Sequence, residues 1–331
     1  MLRRDITYIL LFFLPAIAFF SGCSKKPQEQ KLTSITIAFQ EWVGYGLFYL
    51  AQEKGFCKEE GIAIVFIDEQ LDSARRDALK QGMLDCEAGT LDLLISKAAQ
   101  DTPIIAVMEI DQSFGSDGIV ATEDIKKLED LIGKKVALAR DDVGETFIST
   151  LFYQNGLSLN NVTIVPKLPE EVSQAFLNGE ADACVTWEPQ LTEALKRPVA
   201  HILTSSKEHT GIIIDTLNVR RDLAENNPGL VKRLMRSWFK ALKFYKGHPN
   251  EASEIIAKHY KITPEQYRKQ VEGLLWNDYE KQQGPSGYKK WVETFDVIAE
   301  VKLANGRIPR KPDASKFLNH TLLEKLYEDS K

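Results

Sequence analysis

Between Ser34 and Ile110 short apolar runs alternate with helical segments, and this alternation restricts the fold more than any other feature. Ser34-Ile-Thr-Ile-Ala-Phe39 alternates polar and apolar residues and reads as a strand. Residues 46–54 (GLFYLAQEK) carry apolar side chains at helical spacing and close at Gly55, a C-cap. Residues 62–67 (IAIVFI) form a continuous apolar run, as expected of a strand buried on both faces. A charged helix over 73–81, a short strand at 84–87, a helix opening after Gly89-Thr90 and a strand over 104–110 follow. That order predicts a parallel sheet with helices on both of its faces.

A second unit of the same kind begins after Ala121. It has strands at 135–139, 162–165 and 183–186, with helices over 145–154 and 170–177, then strands at 199–204 and 211–218. From Asn227-Pro228 onward the pattern is helical, over 230–245, 249–260, 264–275 and 285–305, with prolines at the first turns. About 300 residues exceed what one hydrophobic core usually serves. The expected fold is therefore α/β and two-lobed, with parallel-sheet lobes joined by crossing strands and a helical C-terminal segment packed on the first lobe. Ligands bind such sheets at strand ends, which places a small-molecule crevice between the lobes.

The N-terminus carries an export signal. Arg3 and Arg4 precede an apolar run over 9–20, and Phe20-Ser21-Gly22-Cys23 closes it. Twelve apolar residues interrupted by Pro15 fall short of the roughly 20 that span a bilayer. The closing tetrapeptide resembles a bacterial lipobox, which makes Cys23 the lipidated residue and 1–22 a lipoprotein signal peptide. Residues 23–32 are then the anchor and a polar, flexible tether. Cleavage removes Arg3, Arg4 and Asp5, so the net charge moves from -5 to -6. An acidic chain with no basic amphipathic stretch is not expected to bind nucleic acid. Cys57, Cys86 and Cys184 remain; Cys57 and Cys86 either pair or stay, with Cys184, as buried thiols. No metal-binding spacing is present, and no cofactor is called for.

Several segments in order resemble one family. Glu41-Trp-Val-Gly-Tyr-Gly-Leu-Phe-Tyr-Leu-Ala51, followed by Glu53-Lys-Gly-Phe56, is similar to the opening of bacterial solute-binding proteins for nitrate, taurine and aliphatic sulfonates. Residues 111–121 (DQSFGSDGIVA) resemble that group's end-of-first-half strand, and Gly179-Glu-Ala-Asp-Ala-Cys-Val-Thr-Trp-Glu-Pro189 its G-x-x-D-A…W-E-P segment. The group includes pyrimidine-precursor carriers, and Leu47 stands here where proline is common. The resemblance implies a type 2 periplasmic-binding-protein fold with two crossover strands. Lobe 1 would comprise 33–118 and 206–331, and lobe 2 would comprise 119–205. It also implies an importer partner, an ABC permease with an ATPase. The binding reading expects a monomer closing around one small solute, and the lipobox expects it to be held to the membrane through Cys23.

Candidate ligand residues follow from the strand-end rule. Trp42, after the first strand, offers a flat face worth about 0.5–2 kcal/mol to a stacked cation. Thr90 and Gly144 stand at helix starts where free N–H groups can take an anion or polar oxygen. Ser113 and Asp117 lie in or beside the first crossover. Trp187, Glu188 and Asp215 lie on or near the return strands. A buried carboxylate needs a structural donor or a ligand cation, so these acidic residues and tryptophans suit an amine or amidine-like heterocycle better than a plain oxyanion. An enzyme on the same fold, resembling the pyrimidine-precursor synthases, is the alternative. Those enzymes have a cysteine-rich motif and a histidine consumed as substrate. Here His201, His209, His248, His259 and His320 all lie in the second half, none near a cysteine, and no nucleophile elbow appears.

Overall fold

The computed structural model describes residues 31–278, 282 and 284–328; the expected signal peptide over 1–22 and the anchor at Cys23 lie outside them. The strands in chain order are β1 (Thr33–Ala38), β2 (Ile62–Ile67), β3 (Cys86–Thr90), β4 (Ile104–Ser113), β5 (Asp117–Ala121), β6 (Lys135–Leu138), β7 (Thr163–Pro166), β8 (Ala183–Trp187), β9 (His201–Ser205), β10 (Ile214–Arg220) and β11 (Leu274–Trp276). They form a six-stranded sheet of order β11-β4-β10-β3-β1-β2 and a five-stranded sheet of order β7-β6-β8-β5-β9.

Both sheets are mixed, which corrects the expectation of purely parallel lobes. β1, β2 and β3 run parallel, as do β6, β7 and β8. β10 runs against β3 and β4, and β5 runs against β8 and β9. The reason is connectivity. β4 passes directly into β5 and β9 returns towards β10, so each incoming strand starts at the end where its parallel neighbours finish.

Three local expectations also change. The apolar run of β2 is an edge strand, with Val65 42% and Ile67 40% exposed, because among the described residues nothing pairs with its outer side. The third strand lies at Cys86–Thr90, further along than 84–87. The helix expected over 264–275 ends at Val271, and Leu274–Trp276 instead pairs with β4. At this break the Gly273 carbonyl accepts the Phe114 amide at 2.7 Å, and a Cβ on Gly273 would collide with the Ser116 hydroxyl.

Apolar packing covers both faces of each sheet. Ile35, Ile37 and Val107 of the first sheet pack with Leu47, Met235 and Trp238, while Leu91, Leu94, Phe295 and Ile298 fill the opposite side. In the second lobe Phe147, Leu151 and Phe152 cover one face and Val172 and Phe176 the other. Cys57, Cys86 and Cys184 are free and buried, so the alternative of a Cys57–Cys86 disulfide falls away. The helix Gly284–Ala304 packs against both Leu91–Ala99 and Val143–Gln154. The C-terminal segment therefore bridges the lobes as well as covering the first.

Candidate ligand-binding crevice

The candidate site lies where the strands of both sheets end. After β1 the chain turns through Trp42, Val43 and Gly44, and the carbonyl of each accepts a side-chain bond. The donors are Tyr260 Oη at 2.6 Å, Tyr267 Oη at 3.2 Å and Trp276 Nε1 at 3.0 Å. This loop is therefore held from behind. The half-buried Trp42 indole N–H donates to Asp111 Oδ1 at 3.3 Å. Gly44 is small for a reason: a Cβ there would collide with the Asp111 carboxylate and the Trp42 ring. Glu41 is exposed and lines a neighbouring groove of about 290 Å³ with Tyr49, Phe66 and Asp68.

Asp111 and Asp215 are the buried floor. They face each other across β4 and β10, and Asp215 is also in register with Thr90 of β3. The Tyr45 hydroxyl donates to Asp215, while no donor reaches Asp111 Oδ2. Burial raises both carboxyls, Asp215 to about 7; for Asp111 the neighbouring Asp215 charge adds to the rise. Tyr45 is raised well above the usual phenol range by burial and by the same two aspartates.

Asp117 opens β5, 5% exposed, with Trp187 directly opposite it on β8. Burial pushes its carboxyl up to about 7; Ser113 relieves part of this, while Asp215, Asp142 and Asp92 add to it. Asp142 precedes the Val143 helix and accepts the Val143 amide at 2.6 Å. Burial, with Asp92 adding to it, raises Asp142 to about 6. Gly144 sits in the first turn of that helix, where a Cβ would press on the Val185 carbonyl at 3.3 Å. Its small size lets the helix approach β8 closely.

At the start of the Leu91 helix, Asp92 reaches across to the second lobe. Its Oδ2 accepts from Thr146 Oγ1 at 2.9 Å and from Lys302 Nζ at 3.0 Å. Burial opposes the Asp92 charge, but Lys302 and the hydroxyls beside it hold its carboxyl below the usual range. Thr90, the N-cap of this helix, uses its hydroxyl for no capping bond.

Of the expected residues, the fold thus brings Trp42, Thr90, Asp117, Asp215 and Trp187 to the strand ends, with Gly144 beside Asp142. Ser113 has another duty. Its hydroxyl meets Ser206 Oγ at 2.7 Å, tying the two crossovers together. Glu188 is set apart, its carboxylate accepting the Thr192 amide at 3.1 Å and hydroxyl at 2.8 Å. Asp111, Tyr45, Asp92, Asp142 and Lys302 were missed. Asp111 carries the same signal that marked Asp215, an acid inside an apolar strand run, and the others carry none in sequence. Among the described residues no His, Cys, Asp and Glu group is placed to hold a metal ion.

Comparisons with known proteins place this geometry in context. The family model described as NMT1/THI5 like matches residues 43–252. The chain is 26% identical over 331 residues to the putative aliphatic sulfonates-binding protein of Bacillus subtilis, covering 97% of each. It is 27% identical over 234 residues to the taurine-binding periplasmic protein of Escherichia coli, covering 67% of this chain and 69% of that one. Among solved structures it is similar to the periplasmic aliphatic sulphonate binding protein SsuA of Escherichia coli. That match has a TM-score of 0.72 at 17% identity and covers 88% of this chain and 99% of the other. The likeness in structure is one of a two-lobed periplasmic-binding-protein fold.

Proposed function

The chain belongs to the NMT1/THI5-like family, and on that premise we propose that it is an extracytoplasmic solute-binding lipoprotein of an ABC importer. It captures a small organic solute containing nitrogen or sulfur in the crevice between its lobes and delivers it to a permease and ATPase. The observation that carries this reading is the set of buried polar groups at facing strand ends. Trp42, Thr90, Asp111, Asp117, Trp187 and Asp215 offer flat walls and hydrogen-bonding atoms where the lobes meet. The names of the relatives, binders of taurine and aliphatic sulfonates, support the same class.

Binding fits the residues better than catalysis does. The buried thiols are poor nucleophiles: burial raises Cys57 to about 11 and Cys184 to about 12. Burial and the Asp85 charge also raise Cys86 well above the usual thiol range. The Cys23 anchor and the tether behind it would keep the binder at the membrane face where its permease sits. The test is a solute screen on the purified chain lacking residues 1–22. A cognate solute at about a hundred times its dissociation constant should stabilise the fold by about 2.7 kcal/mol. Lobe closure should reduce the radius of gyration in small-angle scattering. A screen of amines, sulfonates, nitrate, ureas and pyrimidines that moves neither quantity would refute the carrier reading.

A further inference from the structure

We infer that the solute is recognised as a cation, through a protonated amine or amidine seated against Asp117, Asp215 and Asp111, rather than through an anionic group. This inference rests on the carrier reading and concerns the charge of what is carried.

Three observations lead to it. Three other buried carboxylates in this protein are matched by cations, whereas Glu109 and Asp142 are not and are raised by burial to about 7 and about 6. Glu87 has Lys97 Nζ at 3.0 Å and Arg75 Nε at 3.6 Å, and Asp92 has Lys302 at 3.0 Å. Glu145 has Arg140 and Arg307, each at 2.6 Å. Asp111, Asp117 and Asp215 are also buried; Trp42, Ser113 and Tyr45 hydrogen-bond to them, but among the described residues no cation pairs with any of them. Uncompensated buried charge is costly unless a partner arrives.

The second observation concerns the sites that would take an oxyanion. Free N–H groups at helix starts are the usual anion cradles. Here Asp92 stands in the first turn of the Leu91 helix. At the Val143 helix Asp142 already accepts the first amide, and Glu145 Oε2 accepts the Asp141 amide at 2.9 Å. A sulfonate approaching either helix start would meet the chain's own carboxylates. The third is that Lys302, Arg140 and Arg307, the cations near these helix starts, are already engaged by those carboxylates. Asp111 Oδ2 has no N–H donor, its neighbour being the Asp215 carboxyl, and is an acceptor for a solute N–H. Trp42 stands beside Asp111 and Trp187 opposite Asp117, each offering a flat face to a cation.

Matched probe pairs of one shape and opposite charge test this: ethanolamine against isethionate, benzylamine against benzenesulfonate, and benzamidine against benzoate, with taurine as the zwitterion. The readouts are melting temperature and calorimetry on the chain lacking residues 1–22. Stabilisation by cationic members only, with Asp117→Asn weakening the best of them about ten- to hundredfold, is the expected result. Asp117→Asn removes a buried charge and should melt no lower than wild type, so lost binding would not be lost folding. Stabilisation by the anionic members, or tighter binding by Asp117→Asn, overturns the inference and leaves the carrier reading standing. A panel in which no probe of either charge binds overturns both.

Discussion

Asp111 and Asp215 face each other across the antiparallel pair β4 and β10, with no cation beside either among the described residues. Burial holds the Asp215 carboxyl up at about 7, so above that pH its charged form destabilises the fold. Asp215→Asn should therefore stabilise the ligand-free protein at pH 8 by about 1–2 kcal/mol, the size of a strong single-site effect. The amide oxygen can still accept from Tyr45, so packing is kept. Urea denaturation at pH 8 measures the gain, and an unchanged midpoint would show that burying the Asp215 charge costs the fold nothing.

The same groups set a pH dependence. The folded carboxyls of Asp117 and Asp215 lie near 7 and that of Asp142 near 6, above their unfolded values. In that interval the folded state holds more protons than the unfolded state, so stability falls as pH rises. The ligand-free melting temperature should decline from about pH 5 to pH 8, with a shallower decline in Asp117→Asn. Asp92 acts oppositely, since its lowered carboxyl costs stability only at more acid pH. A cationic solute displaces the bound protons, so its affinity should rise over the same range. Calorimetry in buffers of different ionisation enthalpy would register the released protons.

Lys302 joins Asp92 of the first lobe to Thr146 of the second. Lys302→Met leaves Asp92 buried without its cation, which should cost about 3–5 kcal/mol. The double variant Asp92→Leu/Lys302→Met should recover much of that loss, because the unpaired charge goes with it. Chemical denaturation of the three variants checks the cycle; equal losses in single and double variants would refute the pairing.

Gly44→Ala places a methyl group against the Asp111 carboxylate and the Trp42 indole. The loop is held by Tyr260, Tyr267 and Trp276 and cannot retreat easily, so overpacking should cost about 1–3 kcal/mol. Binding should weaken with it, since Trp42 is displaced. Indole fluorescence and a melting curve report both effects, and wild-type behaviour in each would show that the loop is loose.

Cys23→Ala tests the anchor. Lipid labelling should vanish and the protein should move from the membrane fraction to the soluble or unprocessed pool. Labelling and partitioning that persist in the variant would place the anchor elsewhere.

The order of strands and helices and the family motifs were legible in the chain, because each is written in short-range spacing or in a contiguous motif. Local pattern also singled out Trp42 and Asp215 at strand ends. It could not separate the edge strand β2 from a buried one, since an apolar run looks the same in either place. It ran a helix through Leu274–Trp276, whose strand state comes from pairing with β4, far away in sequence. Above all, the sequence does not say which buried acids are matched. Asp92 meets Lys302 across 210 residues, while Asp117 and Asp215 meet no cation among the described residues. Charge compensation is a property of three-dimensional neighbours, and only the tertiary structure decided it.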